Sequence, residues 1–160
     1  MRRNKSFWLR TRDSAIVLAV LPLLPFLIAL GILIVPLYLL YKGTLYLLIW
    51  TLWLPRGKDI LFVYSDSPTW HDYLVREVLP RFAERAIVLN YSERRTWSRW
   101  SFPVRVFRSF GGDRSFCPLI ILFRPLARPK LFRFWGPFKD WKHGHRESVE
   151  QLTEDVFALL

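Results

Sequence analysis

From Ser14 to Leu54 the chain runs for 41 residues with one charged side chain, Lys42. No other feature constrains the fold as strongly. A helix needs ~20 apolar residues to cross a ~30 Å hydrocarbon core, so this stretch is twice what one crossing requires. A secretory leader has a short apolar region and a small-residue cleavage site. This stretch is longer and has no such site, so it is expected to be retained and the chain to be an integral membrane protein. As continuous helix it would extend ~62 Å, which leaves two arrangements. In a hairpin, Ser14–Leu30 and Leu37–Leu54 cross around a turn at Gly31–Pro36. Trp8 and Trp50/Trp53 then lie at one interface, with Tyr38/Tyr41 nearer the other. In the other arrangement a single span, Ala15–Leu40, exits at Lys42-Gly43 and is followed by an interfacial helix, Thr44–Leu54. Pro22, Pro25 and Pro36 kink either one. Both flanks are basic (Arg2, Arg3, Lys5, Arg10 and Arg12 before, Arg56 and Lys58 after), which favours the hairpin and a cytoplasmic soluble domain.

The rest of the sequence divides accordingly: a basic tail at 1–13, the anchor at 14–55, and a soluble domain at 59–160. From Arg56 onward there are 18 Lys and Arg against 12 Asp and Glu, and the tail adds a further net +4. About a hundred residues suffice for a single hydrophobic core. A basic surface beside a bilayer implies contact with anionic headgroups, at about 1 kcal/mol per cation near the surface. The one cysteine, Cys117, excludes an intramolecular disulfide and a thiolate metal cluster.

Beyond the linker the pattern is α/β. Ile60–Tyr64 is a run of strand formers followed by a turn-and-cap string at Ser65–Thr69. Helical spacing of Tyr73, Leu74, Val78 and Phe82 predicts a helix over Trp70–Glu84, kinked by Pro80. Ala86–Leu89 is a second strand. Ser92 opens a polar-aromatic segment predicted to be helical up to Phe102-Pro103, with Gly111-Gly112 as a break beyond it. Leu119–Phe123 and Lys130–Trp135 read as third and fourth strands across a Pro-bounded turn. Ser148–Leu160 reads as an amphipathic helix with Ser148 as N-cap and Val149, Leu152, Val156, Phe157 and Leu160 on one face. Strands separated by helices imply parallel pairing, and the short last connection implies an antiparallel hairpin.

This β-α-β-α-β-β-α order resembles the thioredoxin fold. The stretch Gly111–Phe123, GGDRSFCPLIILF, is similar to the family's passage from a helix end through an apolar residue and proline into an apolar strand. The resemblance covers about Asp59 to Leu160 and implies that Pro118 is the cis proline bordering the family's active site. It also locates that site at the start of the first helix, where thioredoxins and glutaredoxins carry Cys-x-x-Cys. Aligning the prolines puts Asp66 and Thr69 at the cysteine positions, around Ser67 and Pro68; a glutaredoxin-like register puts Trp70 and Tyr73 there. Neither register contains a cysteine, so dithiol–disulfide exchange is excluded as chemistry.

Other chemistry is thinly represented. Cys117, just before Pro118, would be the catalytic residue of a single-thiol enzyme or redox sensor; the alternative is a small buried hydrophobe. His143-Gly144-His145 has metal-like spacing but no third ligand nearby, and Lys142 and Arg146 repel a cation, so no metal and no cofactor are expected. His71 and Asp72 are adjacent on a helix and do not face each other, so Asp72 reads as a favourable N-terminal charge.

The most unusual stretch is Arg94–Phe110. Arg94, Arg95, Arg99, Arg105 and Arg108 alternate with Trp97, Trp100, Phe102, Phe107 and Phe110. Arginines with aromatics suit single-stranded nucleic acid by pairing and stacking, and a headgroup interface equally well. In a tethered domain the bilayer, with its anionic headgroups, or another membrane protein is the expected partner rather than nucleic acid. The aromatics could equally pack the core while the arginines stay solvated. The function expected is a membrane-tethered, redox-inactive thioredoxin-like binding or scaffolding module rather than an enzyme, with Arg94–Phe110 and the Ser65–Tyr73 edge as contact surfaces. The alternative is a single-cysteine thiol enzyme using Cys117.

Overall fold

The computed structural model describes residues 21–68, 70–112 and 117–159. The readings for the tail at 1–13, for the start of the anchor at 14–20, for Thr69, for 113–116 and for Leu160 lie outside the described residues. The chain divides into two compact units, Met1–Thr44 and Leu45–Leu160.

A short turn at Leu21–Leu23 leads into α1, Leu24–Leu48, whose residues up to Thr44 belong to the first unit. From Leu24 through Tyr41 the helix carries no charged side chain, and its large apolar side chains there stand exposed. The helical run is long and apolar enough to cross a membrane. At ~1.5 Å per residue, the 25 residues of α1 reach ~38 Å. The turn expected at Gly31–Pro36 is absent: α1 runs straight through both residues, so the hairpin is corrected to one continuous helix. The physical reason is that Pro36 removes a single ladder bond, to the Ile32 carbonyl, whereas a turn in an apolar segment would orphan several backbone groups. Thr44 Oγ1 donates to the Leu40 carbonyl at 2.9 Å, and Lys42 Nζ lies 5.0 Å from the Tyr38 ring centre.

The second unit begins with the last turns of that helical run, which continue to Arg56. It then forms a mixed α/β domain. The elements are β1 (Ile60–Tyr64), a helical segment α2 (His71–Tyr73, continued by Leu74–Val78 and Leu79–Arg81), β2 (Ala86–Asn90), α3 (Phe102–Phe110), β3 (Leu119–Leu122), β4 (Lys130–Arg133), α4 (Trp135–Lys142) and α5 (Glu147–Phe157). The four-stranded sheet has the order β2-β1-β3-β4, with β1 and β2 parallel and β3 antiparallel to both its neighbours.

Alternation along the strands divides the core in two. Ile60, Phe62, Ile120 and Leu122 face Leu74, Val78 and Phe82 of the α2 region, together with Phe134, Phe138, Val149 and Val156. Leu61, Val63, Leu119 and Ile121 face Val106 and Phe107 of α3. They also face two residues from the sequence-assigned anchor, Ile49 at 0% exposure and Trp53 at 5%. Leu45, Ile49 and Trp53 recur every four residues, which sets them on one helical face, and all three are buried.

Two Leu-Pro-Arg triplets end helices in the same way. Leu54 N–H donates five residues back to Ile49, and Leu79 N–H five residues back to Leu74. Each proline ring would collide with the carbonyl four residues before it, so the ladder widens before it tightens over Leu54–Arg56 and Leu79–Arg81. After the first triplet Gly57 takes φ +70°, a left-handed closure suited to glycine, and the chain turns into β1. Asp59 and Arg85, the residues before β1 and β2, clamp the two strand starts with a bidentate ion pair.

Three boundaries differ from expectation. The helix expected before Phe102-Pro103 begins there instead, because a proline in the first turn forfeits a donor that has no intrahelical partner. β4 stops at Arg133 rather than Trp135, and α4 follows; Phe134 and Phe138, one helical turn apart, are both buried. The last helix begins at Glu147 with Arg146 at its N-cap, and Ser148 makes no cap.

Candidate functional site

The carboxyl ends of the parallel strands β1 and β2 meet the start of the α2 segment, and polar side chains from all three converge there. Asn90, the last residue of β2, donates from Nδ2 to both oxygens of Asp66 at 3.1 and 3.0 Å, and to Glu93 Oε1 at 3.3 Å. The Asp66 backbone N–H donates to Ser92 Oγ at 2.9 Å, and the Ser92 N–H donates to Asn90 Oδ1 at 3.0 Å. This reciprocal set ties the loop after β1 to the turn after β2. His71 Nδ1 lies 3.5 Å from Asp66 Oδ1 without hydrogen-bond geometry. Asp72 points away and pairs with Arg76 at 3.9 Å, so the acid facing His71 is Asp66 rather than its chain neighbour.

Tyr64, at the end of β1, lies beside His71 with ring centres 5.7 Å apart and ring planes tilted by 47°. Its phenol pKa is raised, first by burial and then by the Asp66 and Glu93 carboxylates. Asp66→Asn should therefore lower the Tyr64 pKa, which Cζ-labelled tyrosine NMR titration would read. An unchanged value would mean that Asp66 does not act on the phenol and that burial and Glu93 govern it.

The residues resembling a thioredoxin-type site separate. Asp66 sits in the polar set. Trp70 and Tyr73 turn into the core, where Trp70 stacks on Phe138 at 5.1 Å and Tyr73 meets Trp141 edge-on at 5.0 Å. Ser67 and Pro68 form the intervening turn, in which the His71 N–H donates to the Ser67 carbonyl at 3.0 Å. The Cys117–Pro118 peptide bond is cis. Cys117 is 8% exposed, and burial pushes its thiol up to about 11 against a smaller opposing pull from Arg94. Such a thiol is protonated at neutral pH and a poor nucleophile.

The basic-aromatic stretch also divides. Phe107 is buried, Trp97 meets it edge-on at 5.8 Å, Phe102 packs on Trp53 at 5.0 Å, and Phe110 packs on Tyr46 at 4.9 Å. Only Trp100 of the five aromatics stands out in solvent, at 81% exposure with the Arg105 guanidinium 4.7 Å from its ring centre. Arg94 stacks on Tyr91 at 4.8 Å. Among the described residues, none of Arg94, Arg95, Arg99, Arg105 or Arg108 pairs with a carboxylate. His143 and His145 flank Gly144 in the turn between α4 and α5; no group of three metal-capable side chains occurs among the described residues.

The sequence reading missed Asn90, Glu93 and Tyr64. Their signal was their position at strand ends, and it acquires meaning only once β1 and β2 are known to lie side by side. Comparison with known proteins returned no matching family model, no similar curated protein and no similar solved structure.

Proposed function

We propose that the chain is a membrane-anchored module of thioredoxin-like architecture that acts by binding, without thiol chemistry. The observation that carries this reading is the site itself. Of the positions where a thioredoxin-like protein would present its cysteines, Asp66 is bonded to Asn90 and Ser92, Trp70 and Tyr73 pack on the core, and the one thiol of the chain is buried with its pKa raised. The strand order β2-β1-β3-β4 with β3 antiparallel supports the architecture.

The anchor reading is supported by the exposed, uncharged surface of α1 from Leu24 through Tyr41 and by the burial of Ile49 and Trp53. Cleavage after the apolar run would remove core residues of the domain, which argues for a retained segment over a discarded leader. The stretch Arg94–Arg108 supplies a basic contact surface around Trp100 for a headgroup layer or another membrane protein. A stacking groove for single-stranded nucleic acid is less well supported, because four of its five aromatics pack against the protein itself.

Full-length protein in bilayers should resist alkaline extraction and should not accelerate insulin reduction by dithiothreitol. Acceleration that disappears in Cys117→Ala would sink the redox-silent reading, and release into the alkaline wash would sink the anchored one.

A further inference from the structure

The turn joining β3 to β4, residues 123–129, displays a leucine against two separate physical preferences. The Ala127 N–H donates to the Arg124 carbonyl at 3.4 Å, closing a four-residue turn with Pro125 second and Leu126 third. Leu126 has φ +57°, the single non-glycine residue with positive φ among those described. Turns with Pro second and positive φ third call for Gly or Asn at that place, because a Cβ there crowds the backbone. Leu126 is also 89% exposed, the most exposed large apolar side chain of the described residues. Neither packing nor backbone preference accounts for a leucine at this tip; a use for the side chain outside the protein does.

The surroundings say what that use is. No Asp or Glu occurs between Arg114 and Lys139. Arg128 and Lys130 are exposed beside the tip, while Arg124 is held by the Leu159 carbonyl. The turn also lies near the first residues of the α/β unit: Phe123, its first residue, packs on Phe110 at 5.7 Å, and Phe110 packs on Tyr46 at 4.9 Å. Arg128 acts electrostatically on the Tyr46 hydroxyl. On the anchored reading, the whole α/β unit, this turn included, is held at high effective concentration near a bilayer surface.

We propose that the β3–β4 turn is a lipid-inserting tip: Leu126 enters the boundary between headgroups and acyl chains, and Arg128 and Lys130 contact anionic phospholipid headgroups. This rests on the membrane-anchored reading and names the ligand for a second part of the domain surface. A leucine flanked by cations is the arrangement that partitions into such an interface, with apolar burial and charge attraction acting together.

The test uses the full-length chain in a Cys117→Ala background, with Leu126→Cys carrying a polarity-sensitive fluorophore. The protein is reconstituted into phosphatidylcholine alone, or with about a third phosphatidylglycerol, a membrane in which each cation is worth roughly a fivefold gain. In the anionic bilayer the probe should shift to the blue and be quenched by lipids brominated on their acyl chains. Arg128→Gln with Lys130→Gln should lower the ratio of buried to exposed probe roughly 30-fold, at about fivefold per charge. In unlabelled protein Leu126→Gly should melt at the same temperature or higher, since it relieves the backbone; a clear loss of stability would show that Leu126 is structural and overturn the proposal. A water-like probe in both bilayers, with the chain still resisting alkaline extraction, overturns the inserting tip alone and leaves the turn for a protein partner. Loss of the chain to the alkaline wash overturns the anchored reading and this proposal with it.

Discussion

A chain beginning at Leu45 should fold, and one beginning at Gly57 should not. The twelve residues between them look like the end of a membrane anchor, yet Ile49 and Trp53 cover the sheet face formed by Leu61, Val63, Leu119 and Ile121. Truncating side chains of these kinds in a core costs about 2–5 kcal/mol for Ile and about 3–5 for Trp. A domain has in all about 5–15 kcal/mol to lose, so removing both, with Leu45, exhausts most or all of it. The measurement is thermal unfolding by circular dichroism of the two shortened chains, with Trp53→Ala in the longer one as an intermediate case. Equal, cooperative melting of both chains would mean that the 45–56 segment merely rests on the domain. A further consequence follows for the anchor: a substitution at Ile49 would first disturb the α/β core rather than any membrane contact.

The second large effect concerns Cys117. With its thiol pushed up to about 11 from an ordinary 9.0, the folded protein holds about 100-fold fewer thiolates at neutral pH than an unperturbed cysteine would. Alkylation by iodoacetamide should therefore be at least about 100-fold slower in the native state than in denaturant, and burial slows it further. The sign of the linked stability follows. The folded state holds this proton more tightly than the unfolded chain, so the contribution is fully present below pH 9. It is lost as pH rises through about 11. Cys117→Ala should flatten that alkaline loss of stability. Rapid native-state alkylation near neutral pH would instead restore the single-thiol enzyme.

The readings of Arg94–Phe110 illustrate how far a local pattern carries. Composition marked the segment as unusual and put two uses beside each other, a contact surface and a core with solvated arginines. Packing accounts for Phe107 and its neighbours, while Trp100 stands outside the core. Phe107 and its neighbours pack because α3 begins at Phe102 and lies over the sheet, whereas Trp100 sits in the irregular run before that helix, with no core to enter. Nothing in a one-dimensional pattern distinguishes Trp97 from Trp100; the path of the chain after Asn90 does.

Strand identity and much of the helix content were legible locally, since period-two alternation and four-residue spacing depend on neighbours in the chain. The exclusion of dithiol exchange was legible too, because it needs only a count of cysteines. The apolar run was legible as a segment able to cross a bilayer, and the tertiary structure altered its shape and its end. Gly31–Pro36 reads as a turn by residue type, but a helix satisfies its own backbone through an apolar segment better than a turn can. At the other end, Leu45, Ile49 and Trp53 have the same composition whether they face lipid or protein. Only the sheet, assembled from strands far apart in the sequence, decides that they face Leu61 and Ile121. The same holds for the polar set. Asp66 and Asn90 are ordinary residues after two strands until parallel pairing of β1 with β2 brings their side chains within 3.1 Å. What the sequence determined by itself was whatever depends on nearby residues or on composition; what the tertiary structure decided was which face each apolar residue buries and which distant polar groups meet.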